Sequence, residues 1–228
     1  METLKKRDRK IDVRLYAIVD PERAGDRDLS DLATLVARGG STLVQLRDKH
    51  GETSAMVEAA RAIKARLAPL SVPLLINDRV DVALAADADG VHLGQEDMAI
   101  ADARRVLVAD SVIGLSVKTV AQAEAAPIDL LDYAAIGGVF ATTSKNNPDP
   151  PIGIEGLCAI ARVFRRRRPD LPLCAIAGID PSNTGAVIAA GVDGVALISA
   201  LSFAPSPENA ARELRAIIDG ALAAKARS

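Results

Sequence analysis

Residues 85–91 read Ala-Ala-Asp-Ala-Asp-Gly-Val, and residues 189–195 read Ala-Ala-Gly-Val-Asp-Gly-Val. Each stretch closes an alanine-rich segment of helical period and leads through Asp-Gly into a short apolar run. The first leads into the fourth predicted strand and the second into the eighth. Two matching elements four units apart are typical of a barrel with half-barrel symmetry. The repeat therefore favours an α/β fold, a single (β/α)8 TIM barrel.

Short apolar runs alternate with longer helical segments eight times along the chain. This alternation predicts a parallel sheet with right-handed crossovers, and eight units fit a closed barrel. An open doubly wound sheet is the competing fold, but the chain contains no Gly-x-Gly and so lacks the dinucleotide fingerprint. The predicted strands are 13–19, 42–46, 72–77, 90–93, 111–117, 132–136, 172–177 and 194–198, and the predicted helices are 28–38, 53–68, 79–86, 98–108, 119–125, 154–166, 182–190 and 207–224.

The length and composition indicate a single domain without a nucleic-acid or membrane partner. The 228 residues carry a net charge of −2 and include three Phe, two Tyr and no Trp, which leaves no basic or aromatic surface for nucleic acid. No apolar segment is long enough to span a membrane, and two cysteines favour a reducing, cytoplasmic location. We expect a basic, frayed tail over residues 1–11 and the barrel domain over 12–228; a homo-oligomer stays open.

Charged side chains follow the second predicted strand, in Gln45-Leu46-Arg47-Asp48-Lys49. Because side chains alternate along a strand, Gln45, Arg47 and Lys49 share one face. If that face points to the barrel mouth, two cations and an amide converge on a polyanion site. The alternative is a polar strand exit with solvated charges.

Carboxylates follow the third and fourth strands, at Asp78 and Asp97. Neighbouring strand ends could bring them to one hard cation, and Mg²⁺ prefers one or two carboxylates with water and phosphate completing its shell. The alternative is that each aspartate caps the helix after it. Ser116, at the end of the fifth strand, is a candidate hydrogen-bond donor, whereas His92 within the fourth strand favours a structural role.

The later strand exits predict a second anion site. Thr142, Ser144 and Lys145 lie in a long loop after the sixth strand, where hydroxyls and an ammonium can bind an oxyanion. Gly178 follows the seventh strand, and Ile198-Ser199 ends the eighth, the two exits at which barrels commonly bind phosphate. The metal-assisted site at the exits of strands two to five suits a diphosphate substrate. The metal-free site at the exits of strands seven and eight suits a monophosphate substrate.

These residues resemble the thiamine-phosphate synthase family from about Leu15 to about Phe203. The family usually has proline where this chain has Ala141, and often threonine where Ser144 stands. The matching segments are Tyr16-Ala17-Ile18-Val19-Asp20, Gln45-x-Arg47-x-Lys49, Asn77-Asp78, residues 90–97, Gly114-Leu115-Ser116, Phe140-x-Thr142-x-Ser144-Lys145, Ala177-Gly178-Ile179 and Ile198-Ser199.

The resemblance implies a transferase that joins 4-amino-2-methyl-5-(diphosphooxymethyl)pyrimidine to a thiazole phosphate and releases pyrophosphate. Mg²⁺ would be its cofactor, bound by Asp78 and Asp97. A paralogous thiazole tautomerase or regulator on the same barrel, which this chain also resembles, is the alternative; that group has a catalytic histidine where this chain has Gly138. The implied pyrimidine diphosphate ligands are Gln45, Arg47, Lys49, Asn77, Ser116 and Lys145, with Arg47, Lys49 and Lys145 catalytic; the implied thiazole phosphate ligands are Thr142, Ser144, Gly178, Ile198 and Ser199.

Overall fold

Eight parallel strands close into a barrel in chain order in the computed structural model, which describes residues 11–142 and 150–227. Each strand pairs with its sequence neighbours, and β1 also pairs with β8 through Tyr16 opposite Ala196. The predicted TIM barrel is confirmed. The strands are β1 (Leu15–Val19), β2 (Leu43–Leu46), β3 (Leu74–Asn77), β4 (Gly90–Leu93), β5 (Val112–Val117), β6 (Tyr133–Ile136), β7 (Leu173–Ile176) and β8 (Gly194–Leu197).

Helices cover the outside of the barrel, and all eight predicted helices are present with ends shifted by up to two residues. Two four-residue helices, α1 and α9, were not predicted because so short a segment shows no helical periodicity. No helix of the described residues is long and apolar enough to cross a bilayer. The helices are α1 (Pro21–Ala24), α2 (Leu29–Arg38), α3 (Thr53–Leu67), α4 (Val80–Ala85), α5 (Ile100–Val106), α6 (Val120–Ala125), α7 (Gly153–Arg167), α8 (Pro181–Ala189), α9 (Ser199–Ser202) and α10 (Pro207–Lys225).

The Asp-Gly repeat has a structural cause at the start of β4 and β8. The carboxylates of Asp89 and Asp193 each accept the backbone N–H at the start of the preceding strand, at 2.8 and 2.9 Å. A Cβ on Gly90 would lie 2.0 Å from the carbonyl oxygen of Val112 in β5, and a Cβ on Gly194 would lie 1.8 Å from that of Val13, just before β1, so only glycine fits. The repeat thus ties each of these strands to both of its neighbours.

Two apolar clusters make up the core, one between strands and helices and a smaller one inside the barrel. The inner cluster contains both tyrosines of the chain, Tyr16 and Tyr133. Gly114 on β5 leaves the space that the Tyr133 ring fills, since an added Cβ would lie 2.0 Å from that ring. A chain with few aromatic residues has therefore placed two of them where their hydroxyls lie deep in the barrel.

The arginine run at residues 165–168 ends α7, with Arg168 at its C-cap. Its guanidinium groups bond within the protein: they pair with the carboxylates of Glu124 and Asp193 and donate to backbone carbonyls of residues 123–131. The run therefore joins α7 to neighbouring elements, which accounts for these charges without a polyanionic partner.

Candidate active site

A cavity of about 700 Å³ opens at the carboxyl ends of β5 to β8. The loops at this end of a TIM barrel carry the active site in characterised barrel enzymes. Five of the predicted site residues contribute to its lining, although they come from four different strand exits. They are Ser116, Thr142, Gly178, Ile198 and Ser199.

Gly178 fixes the position of the loop that follows β6. Its backbone is left-handed, with φ of +64°, a conformation that favours glycine. An added Cβ would lie 2.4 Å from the carbonyl oxygen of Ala141 and 2.7 Å from Phe140 Cβ. Gly178 therefore leaves room for the Phe140–Ala141 segment, and the next residue, Thr142, lines the cavity together with Gly178 itself.

Arg47 is buried at the mouth beside β1 rather than solvated. It is 8% exposed, and its guanidinium donates to the carboxylate of Asp20, which is 1% exposed. Asp20 also accepts the backbone N–H of Glu22 at 2.9 Å and so caps α1. The alternative of a solvated strand exit is therefore wrong for Arg47, whose charge is held in place by a buried partner.

Asp78 and Asp97 face each other at the exits of β3 and β4. Burial raises the pKa of the Asp78 carboxyl, and the Asp97 carboxyl within hydrogen-bonding range adds to that rise, while Lys49 opposes it through an ion pair. The capping alternative is wrong for both: Arg79 and Ala99 occupy the N-cap positions of α4 and α5. Asp97 instead accepts the N–H of Gly94, at 2.6 Å.

The donor set of this pair fits Mg²⁺. Two partly desolvated carboxylates repel each other and favour a nearby positive charge. Lys49 supplies one such charge to Asp78 in this structure, and carboxylate oxygens are also ligands that Mg²⁺ prefers. The described residues contain no cluster of three or more His, Cys, Asp or Glu side chains that could hold a metal. A magnesium ion here would take its remaining ligands from water and substrate phosphate.

Gln45, Asn77 and His92 lie deeper than the charged residues. Gln45 is 1% exposed and donates from its amide nitrogen to the hydroxyl of Tyr16, and Asn77 is also buried. His92 is hydrogen-bonded through both ring nitrogens, to Tyr133 and Ser116, at 2.7 Å each. The expectation of a buried, hydrogen-bonded histidine is confirmed.

Several residues of the mouth were missed in the sequence. Lys118 lines the cavity two residues after Ser116, and the alternation along β5 was the signal that could have found it. Asp20 was given no role from the sequence, because its partner Arg47 lies 27 residues away. The predicted ligands Ser144 and Lys145 fall outside the described residues.

Comparisons with known proteins agree with this geometry. A family model described as thiamine monophosphate synthase matches residues 15–201. A thiamine-phosphate synthase of Agrobacterium fabrum is 51% identical, covering 95% of this chain and 98% of its own length, and one of Roseiflexus sp. is 44% identical over 94% and 89%. The solved structure of thiamine phosphate pyrophosphorylase from Pyrococcus furiosus superposes with a TM-score of 0.81 at 34% identity, covering 93% of this chain and 98% of that one.

The closed barrel and the cavity at the carboxyl ends of its strands define a TIM-barrel protein with a candidate active site at that end. The match covers most of the chain, and the identity to full-length relatives is high. The chain belongs to the thiamine monophosphate synthase family and is a transferase of thiamine biosynthesis.

Proposed function

We propose that the candidate active site catalyses the condensation of 4-amino-2-methyl-5-(diphosphooxymethyl)pyrimidine with thiazole phosphate, giving thiamine phosphate and pyrophosphate. The observation that carries this proposal is a group of charged side chains beside a cavity at the same end of the barrel, which would suit two different anions. Cations and two carboxylates lie at the exits of β2 to β4, beside a cavity at β5 to β8. Membership of the family supports the same reaction. Nothing in the comparisons favours the tautomerase alternative.

The diphosphate belongs on the charged side of the mouth. Arg47, Lys49 and Lys145 would neutralise its oxygens, and Gln45, Asn77 and Ser116 would hold the pyrimidine end. Asp78 and Asp97 would hold Mg²⁺, which supplies charge stabilisation to the departing pyrophosphate when bound. The Asp20 carboxylate supports this arrangement, because it holds Arg47 in one orientation before substrate arrives.

The thiazole phosphate belongs in the cavity. Thr142 and Ser199 line it and carry hydroxyl groups that would bind the phosphate, and Ile198 and Ser199 lie where β8 passes into α9. Gly178 holds the loop that carries Thr142, and Ser144 of the same loop would add a further hydroxyl. Phosphate oxygens are well matched by such hydroxyl and backbone N–H donors.

The proposed reaction does not require a catalytic base. The CH₂–O bond of the pyrimidine substrate breaks, and its electron pair leaves with pyrophosphate. The aminopyrimidine ring stabilises the resulting cation, and the thiazole nitrogen uses its lone pair to form the new N–C bond. No proton is abstracted in the bond-forming step. The work of Arg47, Lys49 and Lys145 is therefore electrostatic, and the cavity holds the nitrogen in line.

Product analysis tests the proposal. Purified protein supplied with both substrates and Mg²⁺ should release thiamine phosphate and pyrophosphate in equal amounts, without a nucleotide cofactor. Omitting either substrate should abolish both products. Isomerisation of the thiazole without coupling would overturn the proposal in favour of the tautomerase.

Ser199→Ala should raise KM for thiazole phosphate by about tenfold, the value of one hydrogen bond to a charged group, with little change in kcat. Ser199 would bind a phosphate remote from the reacting nitrogen, and binding that is equal in ground and transition states appears in KM. Steady-state kinetics with each substrate varied in turn measures both constants. Ser54→Ala, an exposed position on α3, is the control and should change neither. A large loss of kcat at constant KM would place Ser199 at the chemistry instead.

A further inference from the structure

A continuous line of hydrogen bonds crosses the interior of the barrel from β2 to β5. The Gln45 amide nitrogen donates to the Tyr16 hydroxyl, which lies 2.9 Å from the Tyr133 hydroxyl. The Tyr133 hydroxyl lies 2.7 Å from His92 Nδ1. His92 Nε2 lies 2.7 Å from Ser116 Oγ, at the edge of the cavity. These five residues, called the interior chain below, join two of the proposed pyrimidine ligands.

Buried polar groups of this kind are costly unless each is hydrogen-bonded. Four of the five members are buried, and Ser116 is half-buried. Burial raises the pKa of both tyrosine hydroxyls, so each keeps its one proton at physiological pH. Gly114 provides the space that places the Tyr133 hydroxyl within reach of its two partners. Each neighbouring pair in the interior chain is therefore hydrogen-bonded, and each tyrosine hydroxyl has one proton to donate.

The direction of every link follows from the Gln45 amide if each tyrosine hydroxyl donates its one proton within the interior chain. Tyr16 accepts from the Gln45 amide, and its own proton would then go to Tyr133. Tyr133 would donate to His92 Nδ1, so the His92 proton would lie on Nε2. His92 would in turn donate to Ser116, whose own proton would point elsewhere. At the other end, Gln45 Oε1 is buried and has no partner among the described residues.

We propose that the interior chain makes Gln45 Oε1 an acceptor and the Ser116 hydroxyl a donor, and so selects a 4-aminopyrimidine over a 4-oxopyrimidine. An aminopyrimidine edge offers one donor, the amino group, and one acceptor, the adjacent ring nitrogen. A 4-oxo ring offers the reverse pattern. Binding it would require rotation of the Gln45 amide and reversal of every link. Tyr16, Tyr133 and His92 are positioning residues, and this selectivity rests on the proposed placement of the pyrimidine between Gln45 and Ser116.

The tautomer of His92 gives a direct test that does not depend on catalysis. The chain has two histidines, so the imidazole ¹⁵N spectrum of labelled protein is assigned by comparison with His50→Gln. His50 lies on the exposed rim, outside the interior chain. We expect the His92 proton on Nε2 in the wild type, and a loss of that single tautomer in Tyr133→Phe. A proton on Nδ1 in the wild type would overturn the proposal.

Substrate discrimination gives the functional test. The ratio of kcat/KM for the 4-amino and 4-oxo pyrimidine diphosphates should fall by about tenfold in Tyr133→Phe, the value of one hydrogen bond. Loss of the Tyr133 hydroxyl interrupts the interior chain and lets the Ser116 hydroxyl rotate independently of Gln45. Tyr16→Phe interrupts the interior chain next to Gln45 and should have the same effect. Ile18→Val, in the same inner cluster but outside the chain, should leave the ratio unchanged even where it lowers stability.

The outcomes separate this inference from the proposed function. If the wild type forms thiamine phosphate but both tyrosine variants keep its discrimination within twofold, the interior chain is only structural and the inference is wrong. If the wild type forms no thiamine phosphate, the proposed function is wrong, while the His92 tautomer still decides the order of the chain. A tyrosine variant that fails to fold leaves the wild-type spectrum as the deciding measurement.

Discussion

Replacing Arg47 with methionine should lower kcat/KM for the pyrimidine diphosphate by about a thousandfold, the upper range for loss of one preorganised electrostatic contact to developing charge. The guanidinium is buried against Asp20 and would neutralise pyrophosphate as it leaves. Arg47→Lys should recover only part of the loss, because an ammonium keeps the charge but not the planar fork. Steady-state assays of the three proteins measure the effect. Arg66→Met, at an exposed ion pair on α3, is the matched control and should stay near wild type.

A double variant separates catalysis from folding. Arg47→Met leaves the Asp20 carboxylate buried without its partner, and removal of one partner from a buried pair costs about 3–5 kcal/mol. Adding Asp20→Asn removes the second charge and should recover most of the unfolding free energy, as measured by denaturant titration. Activity should stay low in the double variant. Recovery of activity together with stability would mean that Arg47 serves the fold and not the substrate.

Gly178→Ala should lower kcat/KM for thiazole phosphate by about a hundredfold, the loss expected when a binding group shifts by about 1 Å. The new methyl group would lie 2.4 Å from the Ala141 carbonyl oxygen, so the loop bearing Thr142 must move. The left-handed backbone adds strain of about 1–3 kcal/mol. Kinetics with thiazole phosphate varied, combined with thermal unfolding, measure both effects.

Gly185→Ala provides the control for that variant. Gly185 lies on the neighbouring helix α8, where an added Cβ meets no atom within 4 Å. Alanine in a helix interior should raise stability by up to about 1 kcal/mol and leave the kinetics unchanged. Near-normal kinetics for Gly178→Ala would show that the loop after β6 does not position the second substrate.

The fold was largely predictable because its signals are local. Apolar runs and helical periodicity gave the eight units, and the Asp-Gly repeat reflects contacts made at the start of β4 and β8. The short helices α1 and α9 escaped prediction, since they depend on a cap at Asp20 and on the turn after Ile198 rather than on periodicity.

The site was predictable where strand exits carry charge and not where partners are distant in sequence. The approach of Asp78 to Asp97 followed from the adjacency of β3 and β4. The line from Gln45 to Ser116 did not, because Tyr16 meets Tyr133 across 117 positions and His92 meets Tyr133 across 41. Such contacts depend on barrel closure and on the space at Gly114, which no local pattern encodes.

We expect one end of the barrel to hold both a metal-dependent anion site and a metal-independent one. Calorimetric titration of pyrophosphate and of thiazole phosphate, each with and without Mg²⁺, tests it most directly. Mg²⁺ should tighten pyrophosphate binding by roughly 5- to 150-fold, the usual range for coupled sites, and leave thiazole phosphate binding unchanged. Asp97→Asn keeps the size of the side chain but removes a charge, so it should weaken the coupling for pyrophosphate alone. Equal pyrophosphate affinity with and without Mg²⁺ in the wild type would contradict the account.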